Sequence, residues 1–330
     1  MKGKAVIFTN KLQVEWMEVD IPDPGETDVV IDVKHSWISI GTESSYLRGE
    51  RIKGEVPYRE GDPWPFPIAA GYQKTGIVRA VGSAVRHIKE GDWVFASASR
   101  VSGMFTPSGG HINPAVIDSS QVWKLPEGAS AVAYSGLVLT QVGYNCGSRP
   151  ALAEGQTAVV IGDGLVGQWA AQTLLHRGAN VVVLGRHRTR LSRLDPHIHG
   201  FNTHEQALSD ILDSCDPISV VVDTVGSMAT VKAIEPAMTR DSHWVSAGFL
   251  GTTGIVDIQK LRDKEMTLHT PSGWIKPRMD QTLLGIHEGW LLTEPLISHR
   301  FPAEQAAEAW RTILEDKGQC LGVVLDWCLF

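Results

Sequence analysis

Cysteine is scarce. The 330 residues hold four, Cys146, Cys215, Cys320 and Cys328, and no two form a C-x-x-C pair. That spacing offers neither a disulfide framework nor a cysteine-built zinc site. No apolar run approaches the ~18 residues that a membrane span requires. Basic charge is not in excess: the formal net charge of −7 argues against general affinity for nucleic acid. Repeats and low-complexity stretches are missing. So is the look of a secretory leader, because Lys2 and Lys4 are followed by a short alternating stretch. These absences predict a cytoplasmic globular protein without nucleic-acid or membrane partners.

What is present begins with Gly162-Asp163-Gly164-Leu165-Val166-Gly167. It follows the apolar run Thr157–Ile161 and opens a segment of helical spacing to Arg177, the strand–turn–helix context of a dinucleotide-binding fingerprint. Gly162 allows the tight turn, Gly164 the approach of a pyrophosphate, and Gly167 close packing of helix on strand. The first turn, with Leu165 and Val166, offers N–H groups and a positive dipole end to phosphate. The next strand, Asn180–Leu184, ends in Gly185-Arg186-His187-Arg188-Thr189-Arg190. An NAD site ordinarily ends that strand with an acid that accepts from the ribose 2′-hydroxyl. Here there is none, and guanidinium groups suit a 2′-phosphate. The reading favours NADP(H), with Arg186 first and Arg188 or Arg190 second as phosphate ligands. A solvated basic loop is the plain alternative. Thr224, in Asp223-Thr224-Val225-Gly226, and Gly248-Phe249 follow later strands and are further cofactor candidates, as is Thr140 in the bridging helical region.

The chain is long enough for two domains. Residues 1–125 read as short strands (Ala5–Phe8, Val29–Val33, Gly76–Val81, Trp93–Ser97) separated by Pro, Gly and Asp turns, a pattern that suits a small barrel. Residues 126–272 alternate strand and helix, which predicts a doubly wound parallel sheet. Residues 273–330 close with strand Leu296–Phe301, helix Ala303–Glu315 and strand Leu321–Asp326. This unit either returns to the first domain or extends the sheet.

Gly71-Tyr72-Gln73-Lys74-Thr75-Gly76, Val81-Gly82 and Gly91-Asp92-Trp93-Val94 ahead of a central GxGxxG domain resemble the medium-chain dehydrogenase/reductase superfamily. The resemblance implies an α/β protein: a GroES-like β-barrel catalytic domain whose two parts flank a Rossmann domain. Within the superfamily, Ser39-Ile40-Gly41-Thr42-Glu43, Pro67–Tyr72 and the stretch from Leu296 to Trp327 look most like 2-desacetyl-2-hydroxyethyl bacteriochlorophyllide a dehydrogenases. The nucleotide half matches these less well, and the chlorin substrate is not carried over. Where the zinc enzymes of the superfamily place a ligand cysteine stands Ile40, and where they place a histidine and a carboxylate stand Tyr72 and Gln73. Isoleucine has no donor, and the cysteines of a structural-zinc lobe are missing from Phe95–Gly110. The expectation is a zinc-independent enzyme with no metal.

Hydride transfer to a carbonyl then needs hydroxyl groups to stabilise the developing oxyanion and to deliver a proton. The resemblance places Thr42 near the nicotinamide ribose and Tyr72 in the vacated ligand position. Lys74 is a candidate for lowering the Tyr72 pKa, and Glu43 and Gln73 for a supporting hydrogen-bonded shell. Ser45 and Tyr46 compete for the same role. Tyr46, Trp64 and Trp274 are candidate pocket residues for a small-molecule substrate. Three functions stay open: a ketone or secondary-alcohol oxidoreductase, with secondary metabolism as one setting; a quinone or enoyl reductase acting on C=C; and a non-catalytic NADPH-binding sensor or structural protein. A homodimer joined along the sheet edge is implied by the resemblance, and Gly254–Thr270, with Ile255-Val256-Asp257-Ile258 followed by Met266–His269, is the candidate stretch for that edge.

Overall fold

The computed structural model of the protein describes residues 1–52, 56–57, 66–104, 109–251 and 254–327. Two units emerge. The first comprises Met1–Val138 and Ile297–Phe330, the second Leu139–Leu296. The first unit therefore extends past residue 125, and its return begins at 297 and not at 273. The reason lies in the intervening segment, which is anchored in the second unit. Trp169 Nε1 donates to the Leu292 carbonyl (3.0 Å), and Trp290 stacks on His176 with ring centroids 4.0 Å apart.

Two main sheets build the first unit, beside a short pair of Arg51–Ile52 with Val56–Pro57. In the larger one the strands run in the order Val122–Lys124, Trp93–Ala96, Lys74–Val81, Asp28–Trp37, Gly322–Asp326, Ile297–Pro302, with Ala115–Asp118 also paired to Asp28–Trp37. The C-terminal βαβ unit thus completes the barrel. In the smaller sheet Lys2–Asn10 pairs with Gln13–Asp20, Ile68–Ala69 and Ile112–Asn113. The core is apolar and continuous, with Phe8, Ile31, Val33, Ile38, Val94, Ile112 and Leu325 all buried. Helix Ala306–Glu315 repeats its buried residues at Ala306, Ala309, Trp310 and Ile313, one face of a 3.6-residue period. It drives Trp310 edge-on against Phe8, centroids 5.2 Å apart.

The second unit is a six-stranded parallel sheet ordered His199–Asn202, Asn180–Gly185, Thr157–Ile161, Ile218–Asp223, Met238–Ser246, Thr267–His269. Numbered along the chain, the order is 3-2-1-4-5-6, that of the Rossmann fold. The strands are apolar on both faces because helices cover both. Ala158, Val160, Val181, Val183, Val220 and Val222 feed one core layer, while Val159, Ile161, Val221 and Trp244 feed the other. Strand His199–Asn202 is not legible in the sequence, having a single apolar residue, and the helix expected near 204–213 starts at Leu208. The helical stretch expected over 129–144 is two helices, Ala131–Tyr134 and Leu137–Ser148, interrupted at Ser135-Gly136. No helix among the described residues is long and apolar enough to cross a membrane.

Candidate active site

In the first unit, helix Ile40–Leu47 leaves strand Asp28–Trp37 with Ser39 at its N-cap. The Glu43 carboxylate turns back and accepts from Ser39 N–H at 2.7 Å, satisfying one of the donors that a helix start exposes. Its other oxygen lies 2.8 Å from His111 Nε2, and both side chains are wholly buried. His111 Nδ1 meets Ser36 Oγ at 2.8 Å, and Ser36 Oγ accepts from Trp327 Nε1 at 2.9 Å. Gly71 makes room for this ring: with φ +86°, it has no Cβ, which would stand 2.6 Å from His111 Cδ2. His111 was not foreseen as a site residue, because its partner lies 68 residues away in sequence.

On this buried base stands a cluster of hydroxyls. Tyr72 OH donates to Ser39 Oγ at 2.5 Å, and Thr42 is a second hydroxyl in hydrogen-bonding reach of the phenol. Burial raises the Tyr72 pKa above its ordinary value. The hydrogen bond with Ser39 opposes that shift without reversing it, and the neighbouring Glu43 reinforces it. The expected lowering by Lys74 is therefore corrected. Tyr72 precedes strand Lys74–Val81, and the Lys74 amine turns to the carbonyls of Ala98 (2.9 Å) and Gly109 (3.4 Å). Lys74 is completely buried, and that burial takes its pKa down to about 7. Its role is to brace the segment that crosses Tyr72, where Gly110 packs so tightly that a Cβ would lie 2.2 Å from Tyr72 N.

The other expected residues take different places. Gln73 is buried and donates to the Trp37 carbonyl at 3.2 Å. The Ser45 hydroxyl donates to the Gly41 and Thr42 carbonyls of its own helix. Tyr46 is buried in the barrel core, near enough to Tyr72 to act on its phenol electrostatically. Trp64 lies outside the described residues. Ile40, Tyr72 and Gln73 do not fit zinc: the first has no donor, the phenol is engaged by Ser39, and the amide is held by a backbone carbonyl. No group of three or more metal-ligating side chains occurs among the described residues.

In the second unit the fingerprint has the geometry that a dinucleotide demands. Gly162 adopts φ +116°, outside the reach of ordinary side chains. A Cβ on Gly167 would stand 2.0 Å from the Gly162 carbonyl oxygen, so helix Leu165–His176 can approach its strand only with glycine there. Gly164, the N-cap, has nothing within 4 Å of where a Cβ would sit, which leaves the first turn at Leu165 and Val166 open on that side. Thr224 Oγ1 donates to the Ile161 carbonyl at 2.8 Å and backs onto Gly162. Gly248 packs against Gly226, and Val225 and Phe249, 48% and 47% exposed, stand at the carboxyl ends of their strands. Thr140 is buried in helix Leu137–Ser148 and Trp274 half-buried ahead of helix Lys276–His287.

The basic loop sorts its three arginines. Arg188 forms a bidentate pair with Glu205 (2.6 and 2.8 Å). Arg190 is buried, with Nη1 3.5 Å from the Asp163 carboxylate. Arg186 is exposed and has no ion pair among the described residues. Asp163, unremarked within the fingerprint, takes the N–H groups of Arg186 and His187.

A family model described as shikimate / quinate 5-dehydrogenase matches residues 149–265, most of the second unit. The chain is 26% identical over 336 residues to a 2-desacetyl-2-hydroxyethyl bacteriochlorophyllide A dehydrogenase of Rhodobacter capsulatus, covering 99% of each chain. Among solved structures it resembles an alcohol dehydrogenase, rspB, from Escherichia coli complexed with NADH (TM-score 0.84, 21% identity, 98% and 99% of the two chains). It also resembles a zinc-binding dehydrogenase of Sinorhizobium meliloti bound to NADP (TM-score 0.81, 18% identity, 99% of each). The fold is that of the medium-chain dehydrogenases/reductases, a Rossmann unit with a GroES-like barrel. The resemblance noted in the sequence, to that superfamily and to its bacteriochlorophyllide dehydrogenases, is borne out along the chain.

Proposed function

We propose that this protein is a nicotinamide-dinucleotide-dependent oxidoreductase, using NADP(H) to interconvert a ketone and a secondary alcohol without zinc. The observation that carries the reading is the hydroxyl cluster of Tyr72, Ser39 and Thr42, seated on the buried Glu43–His111 pair. As hydride reaches a carbonyl carbon, negative charge grows on its oxygen. A neutral phenol supplies the hydrogen bond that stabilises this charge; burial raises its pKa and makes it a weaker acid, yet the alkoxide left by hydride transfer is a stronger base still and takes its proton. The phenolate regains its proton from Ser39, whose hydroxyl it already touches, and Ser39 takes another from solvent water. Glu43 and His111 hold the helix start that carries these hydroxyls. Arg186, the cation of the loop without an ion pair among the described residues, supports the choice of NADP(H) over NAD(H). Relatives of this fold are named for either cofactor in their structures, so the preference rests on this loop alone.

The test is a titration of metal-free protein with NADPH and with NADH, followed by turnover on ketones, enones and quinones. Tighter NADPH binding and reduction of ketones are expected, with kcat in Tyr72→Phe lower by about a hundredfold or more. Turnover confined to enones or quinones points to a C=C reductase and sinks the carbonyl reading. Tight binding with no turnover on any panel points to a sensor or structural protein.

A further inference from the structure

Asp163 has a task that no dinucleotide fingerprint requires. Its side chain is 6% exposed, and it reaches from the turn after the first strand of the Rossmann sheet to the end of the second. There Oδ2 accepts from Arg186 N–H (2.7 Å) and His187 N–H (2.8 Å). His187 Nδ1 lies 3.0 and 3.1 Å from the two oxygens, and Arg190 Nη1 is 3.5 Å from Oδ1. Gln168 Nε2 fastens the same loop through the Arg190 carbonyl at 2.8 Å. Gly185 is the condition for all of this: a Cβ there would stand 2.6 Å from Asp163 Oδ2. The end of the second strand therefore has its carboxylate after all, supplied from another strand's loop and facing into the protein.

A carboxylate so engaged is poorly placed to accept from a ribose hydroxyl. Burial would push its pKa up, but the donors of Arg186 and His187 outweigh that and hold it below the ordinary range. Its charge is matched by Arg190, as that of Glu205 is by Arg188. What remains on the outer side of the loop is Arg186, whose main chain is turned inward by the bond to Asp163 while its side chain is exposed.

We propose that Asp163 is the positioning residue for cofactor choice: by anchoring the Arg186–Arg190 loop and neutralising Arg190, it presents Arg186 to the 2′-phosphate of NADP(H). The proposal rests on the dinucleotide reading above and deepens it. Asp163 acts through Arg186, so the two residues are coupled.

The experiment measures Kd for NADP+ and NAD+ in the full-length wild type, Asp163→Asn, Asp163→Ala, Gly185→Ala, Arg186→Ala and the Asp163→Ala/Arg186→Ala double variant, with near-ultraviolet circular dichroism to register folding. In Asp163→Ala the Kd for NADP+ is expected to rise about tenfold or more, about 1.4 kcal/mol, with that for NAD+ moving much less. Gly185→Ala should behave alike, because its methyl group displaces the carboxylate. Asp163→Asn, of the same shape, should fold as the wild type does and fall between. In the Arg186→Ala background the Asp163 substitution should no longer change the ratio of the two constants. Equal weakening toward both cofactors, additive effects with Arg186→Ala, or tighter NADP+ binding in Asp163→Ala would each overturn the proposal. So would a wild type that prefers NAD+ with its preference unchanged in Asp163→Ala; all four leave the dinucleotide reading standing. A wild type that binds neither cofactor overturns both.

Discussion

Burial raises the Tyr72 pKa, which keeps the phenol neutral and makes it a weaker acid, and the same physics acts with opposite sign on Lys74 two residues later. Desolvation disfavours whichever form carries charge. The Lys74 amine, buried and braced by the Ala98 and Gly109 carbonyls, drops from 10.5 to about 7. In the unfolded chain it returns to its ordinary value. Between these two limits the unfolded state binds more protons than the folded state, so stability rises with pH across that window. The slope due to this one group approaches about 1.4 kcal/mol per pH unit. Replacing it by methionine should remove that contribution, flattening the curve of unfolding free energy against pH between about 7 and 10 in urea titrations. An unchanged curve would mean that the buried amine is not the titrating group.

At the level of elements, what the sequence discloses depends on how local each cause is. The strand–turn–helix around Gly162–Gly167 is legible because turn chemistry and hydrophobic period are written in consecutive residues. The order of strands follows from the same alternation. The site in the barrel is less legible. Tyr72 and Ser39 stand 33 residues apart, and Glu43 and His111 stand 68 apart; only the folded barrel brings them together. A signal for Ser39 was available in part: serine directly ahead of a helical segment marks a helix start, although Glu43 stands one residue beyond the capping-box position. Asp163 also carried one, an acid inside the fingerprint of a chain whose second strand ends without one. Helix Ala306–Glu315 shows how an element far along the sequence secures the barrel. Trp310→Ala should cost about 3–5 kcal/mol in unfolding free energy, since a large cavity opens beside Phe8. Trp310→Phe should cost less, about 1–2 kcal/mol, because a ring still fills much of the space and the indole N–H has no hydrogen-bond partner among the described residues to lose. Equal losses in the two variants would show that the ring's size is not what matters.

For the whole molecule, the Rossmann sheet ends at Thr267–His269, an edge strand paired on one side only. Ile255 and Ile258, 79% and 70% exposed, come shortly before it in sequence. An edge of this kind invites a second strand. We expect a homodimer with Gly254–Thr270 at its interface, which sedimentation of the wild type and of Leu268→Pro checks directly: a wild-type monomer, or an undiminished dimer in the variant, removes the edge from consideration.

The barrel's central sheet is assembled from distant parts, with Gly322–Asp326 seated between Asp28–Trp37 and Ile297–Pro302. Translation delivers these parts in an awkward order. The ribosome makes Asp28–Trp37 early, then all of Leu139–Leu296, and only afterwards the strand that closes the gap. The Rossmann unit, contiguous in sequence, has what it needs to fold as it emerges. The unfinished barrel meanwhile carries an open strand edge through much of the chain's synthesis, the interval in which chaperones or neighbouring nascent chains encounter it.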